Sequence, residues 1–325
     1  MQFLKKCVPY VIAFTLGLAC MAGFDAAYTR PDSAQIARQI REGGGTYTNP
    51  LLECDVAIGS INAPKARFER ELEKEVAMVE SRDSVSEVAV YYRDLNNGPA
   101  FGIKENEEFF PASLLKVPIL MSFLKHSEND RDFLLKKVDF NKDSIPDLAT
   151  PVISPEVALE NKHEYSVSAL LEHMIMYSDN YAMEALYPLL PEKEYTELYE
   201  RLGIHGFDIG DSRTTLTVVE YATFFRVLFN ASYLSQDSSE KALELLTRSM
   251  FKDGIRAGVP STIEVAHKFG ERDLGDGYYQ LHDCGIVYIP KNPYLVCIMT
   301  RGTKQEDLKT AIKDISKFTY DQVTK

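Results

Sequence analysis

The spacing of apolar residues predicts a helix followed by a β-hairpin at the start of the globular part of the chain. At 62–80, charged residues surround a thin apolar stripe, which is the pattern of a surface helix that covers a core. At 86–95, β-branched and aromatic residues alternate with others, and the turn sequence NNGPA and the short run FGI follow. We therefore expect a helix and then two short antiparallel strands.

A long middle region has helical spacing of its apolar residues. The predicted helices lie near 113–126, 165–176, 180–190, 192–202, 217–230 and 238–251. No strand-like run separates them, so the pattern predicts an all-helical lobe at about 111–258.

The last part of the chain predicts three strands and a helix. The strands are TIEVAHKFG (262–270), YQLHDCGIVYIP (279–290) and PYLVCIMTRG (293–302), and an amphipathic helix follows at 304–321. One antiparallel sheet buries all five strands most simply. The predicted fold class is α+β: a five-stranded antiparallel sheet flanked by N- and C-terminal helices, with the helical lobe inserted between strands 2 and 3. The terminal helices would cover one face of the sheet and the lobe the other.

Composition and charge limit the classes of function. Of 325 residues, 45% are hydrophobic and 26% are charged, which is enough for a buried core and excludes a disordered protein. The chain has 36 basic and 48 acidic residues, a formal net charge of -12. No cluster of basic and aromatic residues offsets that charge, so nucleic acid is not expected as a partner.

The N-terminal segment predicts export. Two lysines precede roughly 17 uncharged residues, a length at the boundary between a signal peptide and a spanning helix. Residues 1–24 are therefore a signal sequence or a membrane anchor, and a lipid on Cys20 is a further alternative. Residues 25–60 are expected as a tether and 61–325 as the globular domain. The protein would lie in the cell envelope, membrane-anchored through its N-terminal segment or secreted or periplasmic.

The cysteines and histidines predict neither a disulfide framework nor a metal site. The chain has five cysteines, Cys7, Cys20, Cys54, Cys284 and Cys297. Cys284 and Cys297 flank a predicted hairpin and could lie near each other, but buried thiols are the favoured interpretation. The six histidines form no HExxH or clustered pattern. No metal and no cofactor are expected.

Candidate chemistry begins with FFPASLLKVPILMSFLK (109–125), where Lys116 interrupts an apolar run three residues after Ser113. Residues i and i+3 of a helix share a face, so the amine can reach the hydroxyl. An apolar surround disfavours the ammonium form, and a neutral lysine can act as the base that a serine nucleophile needs. The motif alone is weak, because S-x-x-K also occurs at 122–125, 238–241 and 249–252.

Two further motifs occur downstream in a specific order. Ser178, Asp179 and Asn180 lie between two predicted helices, and Lys268 and Gly270 end a predicted strand. S-x-x-K, then S-D-N, then K-x-G, each in its expected context, resembles the class A β-lactamase and penicillin-binding protein family of serine hydrolases. The resemblance covers roughly 62–321.

The resemblance implies a role for each matching residue. Ser113 resembles the acylated nucleophile, Lys116 its proton acceptor, and Ser178 the hydroxyl that relays the proton to the leaving nitrogen. Asn180 resembles the amide that orients the acyl side chain of the substrate, and Lys268 the source of positive potential near the substrate carboxylate. The remaining implied positions are the oxyanion-hole N–H groups of Ser113 and Glu271, and Gly270 and Phe269 at the substrate.

Two departures from the family pattern bear on function. Phe269 stands where a threonine or serine hydroxyl is usual, and we expect it to form an apolar wall of the substrate site. The Ω-loop glutamate motif E-x-x-L-N is missing between Asn180 and Lys268. The glutamates nearest in sequence, which are better explained as solvated helix positions, are Glu184, Glu197, Glu200 and Glu220.

These departures favour a β-lactamase-like serine hydrolase that forms an acyl-enzyme with β-lactam or D-alanyl-D-alanine-type amides. Its deacylation would be slow, as in a penicillin-binding DD-peptidase. The expected partners are peptidoglycan peptide or a β-lactam, and a monomer is expected. A non-catalytic module that binds or senses cell-wall peptide in the same cleft is the alternative from another class. An esterase or amidase on small metabolites is a third.

Overall fold

The computed structural model describes residues 40–41, 43–53, 62–96, 98–145, 148 and 158–325. Within them the strands are β1 Ile40–Arg41, β2 Leu51–Glu53, β3 Val85–Asp94, β4 Ala100–Ile103, β5 Glu108–Phe109, β6 Lys137–Phe140, β7 His163–Ser166, β8 Leu216–Thr217, β9 Val265–Gly275, β10 Tyr278–Val287 and β11 Tyr294–Gly302. The α-helices are α1 Asn62–Glu80, α2 Lys116–Ser127, α3 Val167–Met176, α4 Asn180–Leu186, α5 Glu192–Arg201, α6 Val218–Phe229, α7 Gln236–Thr247, α8 Gly254–Ala257 and α9 Gln305–Val323. Short 3-10 helices lie at Ala112–Leu115, Phe133–Leu135, Lys142–Ser144 and Tyr187–Leu189.

The main sheet has five antiparallel strands in the order β4-β3-β11-β10-β9. Strands β3 and β4 precede the helical lobe and the other three follow it, which confirms the predicted α+β fold class. One detail differs, because the lobe region also holds two short ladders, β5 with β8 and β6 with β7. Strands of two to four residues are too short to show an alternating pattern, and their partners lie far away in sequence.

The two faces of the sheet bury two separate cores, as the pattern predicts. Successive side chains of a strand point to opposite faces. Val296 and Ile298 of β11 pack with α1 and α9, whereas Cys297 and Met299 pack with the helical lobe. On the face of the sheet that is covered by the lobe, β9 lies next to the start of α2 and the loop after α3.

Local sequence explains where the lobe helices begin. Side-chain oxygens of Ser166, Asp179 and Ser235 accept backbone N–H groups in the first turns of α3, α4 and α7. Thr217 and Glu220 form a reciprocal capping box at the start of α6. These caps end the loops at defined positions, and two of those loops border the site described below.

Part of the predicted tether is attached to the domain. The carboxylate of Glu240 accepts the backbone N–H groups of Tyr47 and Thr48, and the hydroxyl of Tyr288 donates to the carbonyl of Tyr47 at 3.1 Å. Residues 43–49 therefore lie against the domain that they were expected only to tether. The predicted leader, 1–24, lies outside the described residues, and no helix within those residues has the length and apolar content needed to cross a membrane.

Cys284 and Cys297 form a disulfide between β10 and β11. They are directly opposite each other in the antiparallel register, with Cα atoms 4.0 Å apart. The favoured interpretation of buried free thiols is therefore wrong for this pair. A disulfide is typical of proteins that fold in an oxidising compartment.

Candidate active site

The candidate nucleophile Ser113 lies in the 3-10 turn Ala112–Leu115 that leads directly into α2. Side chains at i and i+3 eclipse in a 3-10 helix, which brings Ser113 and Lys116 closer than an α-helix would. Ala112, just before the serine, has φ +49°, a strained left-handed conformation for a residue other than glycine. Such strain is concentrated at functional sites, where the surrounding structure enforces it.

Two side chains of β10 hold the backbone just before this turn. The Gln280 side-chain oxygen accepts the N–H of Phe110 at 3.1 Å, and Nε2 of His282 lies 3.1 Å from the Phe110 carbonyl. Burial lowers the pKa of His282 to about 3, so the ring is neutral. Its Nδ1 accepts the N–H of Thr300, and Nε2–H therefore donates to Phe110. The backbone that leads into the nucleophile turn is thus fixed to the sheet through both the N–H and the carbonyl of Phe110.

Lys116 is buried, with 1% of its surface exposed. Its Nζ lies 2.8 Å from Ser113 Oγ and donates to Asn180 Oδ1 at 2.6 Å. Burial lowers the pKa of Lys116 from 10.5 to about 7, although the negative charges of Asp179 and Glu184 partly oppose that shift. A substantial fraction of the amine is therefore neutral near pH 7 and can accept the proton of the serine hydroxyl.

Ser178 lies between α3 and α4 and has φ +57°, again in the left-handed region. Its Oγ is 2.9 Å from Nζ of Lys268 and 3.4 Å from Nζ of Lys116. Asp179 caps α4 by accepting the N–H groups of Tyr181 and Ala182, as expected for a structural residue. The second hydroxyl thus bridges two amines.

Lys268 reaches this point from β9, and it is fully buried. Its Nζ donates to Ser178 Oγ and to the Phe269 carbonyl, both at 2.9 Å. Burial and the nearby charge of Lys116 lower the pKa of Lys268 well below its ordinary value, against the opposing charges of Asp283 and Glu271. The two buried lysines therefore disfavour simultaneous protonation.

Gly270 lets β9 approach the nucleophile turn. A Cβ at this position would lie 2.8 Å from the Pro111 carbonyl oxygen and 3.0 Å from the Leu114 nitrogen, closer than packed atoms allow. Gly270 is thus buried against the turn. Glu271, the next residue, lines the same cavity as Ser113.

A cavity of about 680 Å³ opens over the serine, within the size range of small-molecule sites. Ser113, Lys116 and Asn180 line it. The other residues that line it are Ala112, Leu115, Ile119, Leu148, Met183, Glu184, Tyr187, Ile209, Gly210, Ser212, Glu271 and Arg272. Burial raises the pKa of Glu271. The cavity opens between α4, the loop after α5, and β9.

Phe269 does not line this cavity, which corrects the prediction that it forms a wall of the substrate site. Its side chain is 1% exposed and packs in the core between the sheet and the terminal helices, with its ring stacked on Phe251 at 4.2 Å between centroids. Nζ of Lys268 lies 4.1 Å from the centroid of the Phe269 ring. The ring therefore supports the lysine instead of contacting the substrate directly.

The candidate glutamates occupy three kinds of position. Glu220 is in the capping box of α6, Glu197 lies 3.4 Å from Lys193, and Glu200 is exposed. The interpretation as solvated helix positions fits Glu197 and Glu200, whereas Glu220 is partly buried and caps α6. Glu184 differs, because it lines the cavity beside Ser113. Its spacing of four residues from Asn180 on one helix was the signal that could have identified it.

Arg272 also lines the cavity and was not identified from the sequence. Its guanidinium donates to the Ser212 carbonyl at 2.7 Å and lies 4.1 Å from the Phe110 ring centroid. It thereby ties β9 to the loop between α5 and α6. Within the described residues, no three His, Cys, Asp or Glu side chains are grouped as they would be around a metal ion.

Comparisons with known proteins identify the family of this chain. The model of the Beta-lactamase enzyme family matches residues 70–323. The β-lactamase CTX-M-97 of Escherichia coli is 25% identical over 227 residues, which cover 65% of this chain and 74% of that protein. The β-lactamase Toho-1 of the same organism matches over the same extent.

Solved structures share the fold. A β-lactamase from Chitinophaga pinensis superposes with a TM-score of 0.70 at 18% identity, covering 78% of this chain and 98% of its own. A variant of the protein PBP-A, solved as an acyl-enzyme complex with penicillin G, superposes with a TM-score of 0.65 at 21% identity, covering 79% and 96%. Because the family model spans most of the chain, the protein belongs to the β-lactamase enzyme family of serine hydrolases.

Proposed function

We propose that this protein forms an acyl-enzyme at Ser113 with β-lactam or D-alanyl-D-alanine-type amides and releases the acyl group slowly. The observation that carries the proposal is the 2.8 Å contact between Ser113 Oγ and the buried Nζ of Lys116. A serine hydroxyl is a weak nucleophile until a base in contact with it takes its proton. The buried amine supplies that base near neutral pH.

The acylation step follows from the contacts. Lys116 accepts the Ser113 proton while Oγ attacks the amide carbonyl carbon, and the carbonyl oxygen becomes an oxyanion facing the N–H groups of Ser113 and Glu271. Ser178 gives its proton to the leaving nitrogen as the C–N bond breaks. The proton held by Lys116 replaces it across the 3.4 Å contact. Lys268 keeps the Ser178 hydroxyl oriented and adds positive potential.

Slow release is supported by the loop that joins α5 to α6. This segment runs from 202 to 217 without an E-x-x-L-N sequence, and the wall that it adds to the cavity consists of Ile209, Gly210 and Ser212. None of these side chains is a base. In the cell, we propose an exported monomer, held at or released from the membrane by its N-terminal segment, with cell-wall peptide or a β-lactam as substrate.

Two substitutions of Ser178 should distinguish the effect of its backbone strain on stability from the effect of its hydroxyl on acylation. Both Ser178→Ala and Ser178→Gly remove the hydroxyl, so each is expected to slow acylation of Ser113 about 10²-fold or more. Glycine also relieves the left-handed φ, and the Gly variant should therefore be about 1 kcal/mol more stable than the Ala variant in urea unfolding. Equal stability of the two, or wild-type acylation in either, would contradict this role.

Intact-protein mass spectrometry after exposure to benzylpenicillin tests the proposed function. We expect one penicilloyl adduct on Ser113, persisting long enough to be followed over time, and none in Ser113→Ala. Ser122→Ala is the matched control, since Ser122 also begins an S-x-x-K motif on α2 but its Oγ donates to the Pro118 carbonyl. An adduct on another residue would refute the assignment of Ser113, and rapid steady-state turnover would refute slow release.

The competing function is non-catalytic binding of cell-wall peptide in the same cavity. It is favoured by Phe269, whose buried ring leaves that position without the hydroxyl that usually helps to bind the substrate carboxylate. Binding without acylation produces no burst of leaving group. An activated ester that yields no burst stoichiometric with the protein would therefore favour the binding module over the enzyme.

A further inference from the structure

We propose that Glu184 is the general base that activates the water molecule releasing the acyl group from Ser113. This inference rests on the proposed function, because it concerns the second half of that reaction. It gives the site a deacylating carboxylate at a position on α4, instead of one on the loop between α5 and α6.

The position of Glu184 follows from helix geometry. It lies four residues after Asn180 on α4, so the two side chains share one face of the helix. Asn180 on that face accepts a hydrogen bond from Lys116, and all three residues line the cavity above Ser113. The negative charge of Glu184 also raises the pKa of Lys116 against the effect of burial, which requires the two groups to be near each other.

The Glu184 carboxylate has no hydrogen-bond or ion-pair partner among the side chains and backbone groups of the described residues. Other half-buried glutamates of the lobe do have one: Glu194 contacts His126 at 2.9 Å, and Glu220 closes the capping box. A half-buried carboxylate without a protein partner needs water as its hydrogen-bond partner. Glu184 therefore favours water inside the cavity, next to the serine that carries the acyl group.

The loop between α5 and α6 closes this part of the cavity without competing for the carboxylate. Gly210 and Ser212 line the wall, and Arg272 fixes that wall by donating to the Ser212 carbonyl. Asp211, the acidic residue between them, is paired with Arg213 at 2.7 Å and does not line the cavity. Glu184 and Glu271 are thus the carboxylates that face the cavity in the described part of the chain.

The chemical step balances with groups already present. Glu184 takes a proton from water as the water oxygen attacks the ester carbonyl carbon. The resulting tetrahedral intermediate then collapses by breaking the bond between that carbon and Ser113 Oγ. The proton passes from Glu184 by way of Lys116, whose Nζ is 2.8 Å from Oγ, and restores the serine hydroxyl. The products are a carboxylic acid and free enzyme.

The test compares Glu184→Gln with the control Glu197→Gln, a glutamate on the outer face of α5. Each full-length protein is acylated with benzylpenicillin, and mass spectrometry follows both the rate of adduct formation and the adduct half-life. We expect Glu184→Gln to lengthen the half-life about 10²-fold or more, because it removes a general base. Near pH 7 the adduct should form no more slowly than in the wild type, because Lys116 loses a neighbouring negative charge and the pH profile of acylation shifts to lower pH. Glu184→Asp should give an intermediate half-life.

The inference would be overturned by each of the following results. An unchanged adduct half-life in Glu184→Gln excludes Glu184 as the base. A longer half-life in Glu271→Gln but not in Glu184→Gln excludes it as well. A lower acylation rate with an unchanged half-life would assign Glu184 to supporting Lys116 only. If the wild type forms no adduct on Ser113, the proposed function fails as well, whereas an adduct that is insensitive to Glu184 overturns this inference alone.

Discussion

Replacing Lys116 with methionine is expected to slow acylation of Ser113 by about 10²–10⁴-fold, the usual contribution of a positioned general base. Methionine fills a similar volume in the buried site but cannot accept a proton. The rate of adduct formation with benzylpenicillin, measured by mass spectrometry at pH 7.5, checks this expectation.

Lys125→Met is the matched control for Lys116→Met. Lys125 also ends an S-x-x-K motif on α2, but its side chain is 43% exposed and its Nζ contacts Glu128 and the Tyr233 carbonyl. Its replacement should leave the acylation rate within about twofold of the wild type, because it is not in the cavity. Equal effects of the two substitutions would contradict the role of Lys116 as the base.

Acylation should also depend steeply on pH below neutrality. The pKa of Lys116 is lowered to about 7, so the neutral amine dominates above that pH and the ammonium dominates below it. The second-order acylation rate should be constant at higher pH and fall about tenfold per unit below the pKa, or about 100-fold two units below it. Stopped-flow acylation by a chromogenic β-lactam across that range provides the profile.

The pH profile has a clear contrary outcome. An unperturbed lysine would keep acylation rising up to its ordinary pKa of 10.5. A rate that rises through pH 8 and 9 without a plateau would therefore mean that Lys116 is charged at neutral pH. The Glu184→Gln variant serves as an internal check, because loss of that negative charge should move the midpoint to lower pH.

Much of the fold could be predicted because local and global signals agree. The helix at 62–80 and the alternating strand at 86–95 have patterns long enough to fix their faces, and the continuous apolar run at 293–302 identifies a buried strand. Two strands precede the helical insertion and three follow it, and a single antiparallel sheet is the simplest arrangement that buries all five. The contact between Ser113 and Lys116 is compatible with their three-residue separation, which puts both side chains on one helix face. The spacing alone does not determine it, because Ser122 and Lys125 have the same separation and contact other groups.

Other features depend on tertiary neighbours. Phe269 was misplaced because its interpretation followed the family role of the residue it replaces. The alternation of a strand already puts it on the opposite face from Lys268. In the sequence, Glu184 looks like any solvated helix residue. Only the folded structure shows that Glu184 and the loop after α5 line the same cavity. The Cys284–Cys297 disulfide depends on strand register, which two hydrophobic strands do not specify by composition alone.

A direct titration of the Lys116 amine shows whether it can act as the base for Ser113. Lysine labelled with ¹³C at the ε-carbon gives one NMR signal per side chain, and the signal missing from Lys116→Met identifies residue 116. This signal is expected to titrate with a pKa of about 7. Titration close to the ordinary lysine value of 10.5 would contradict it.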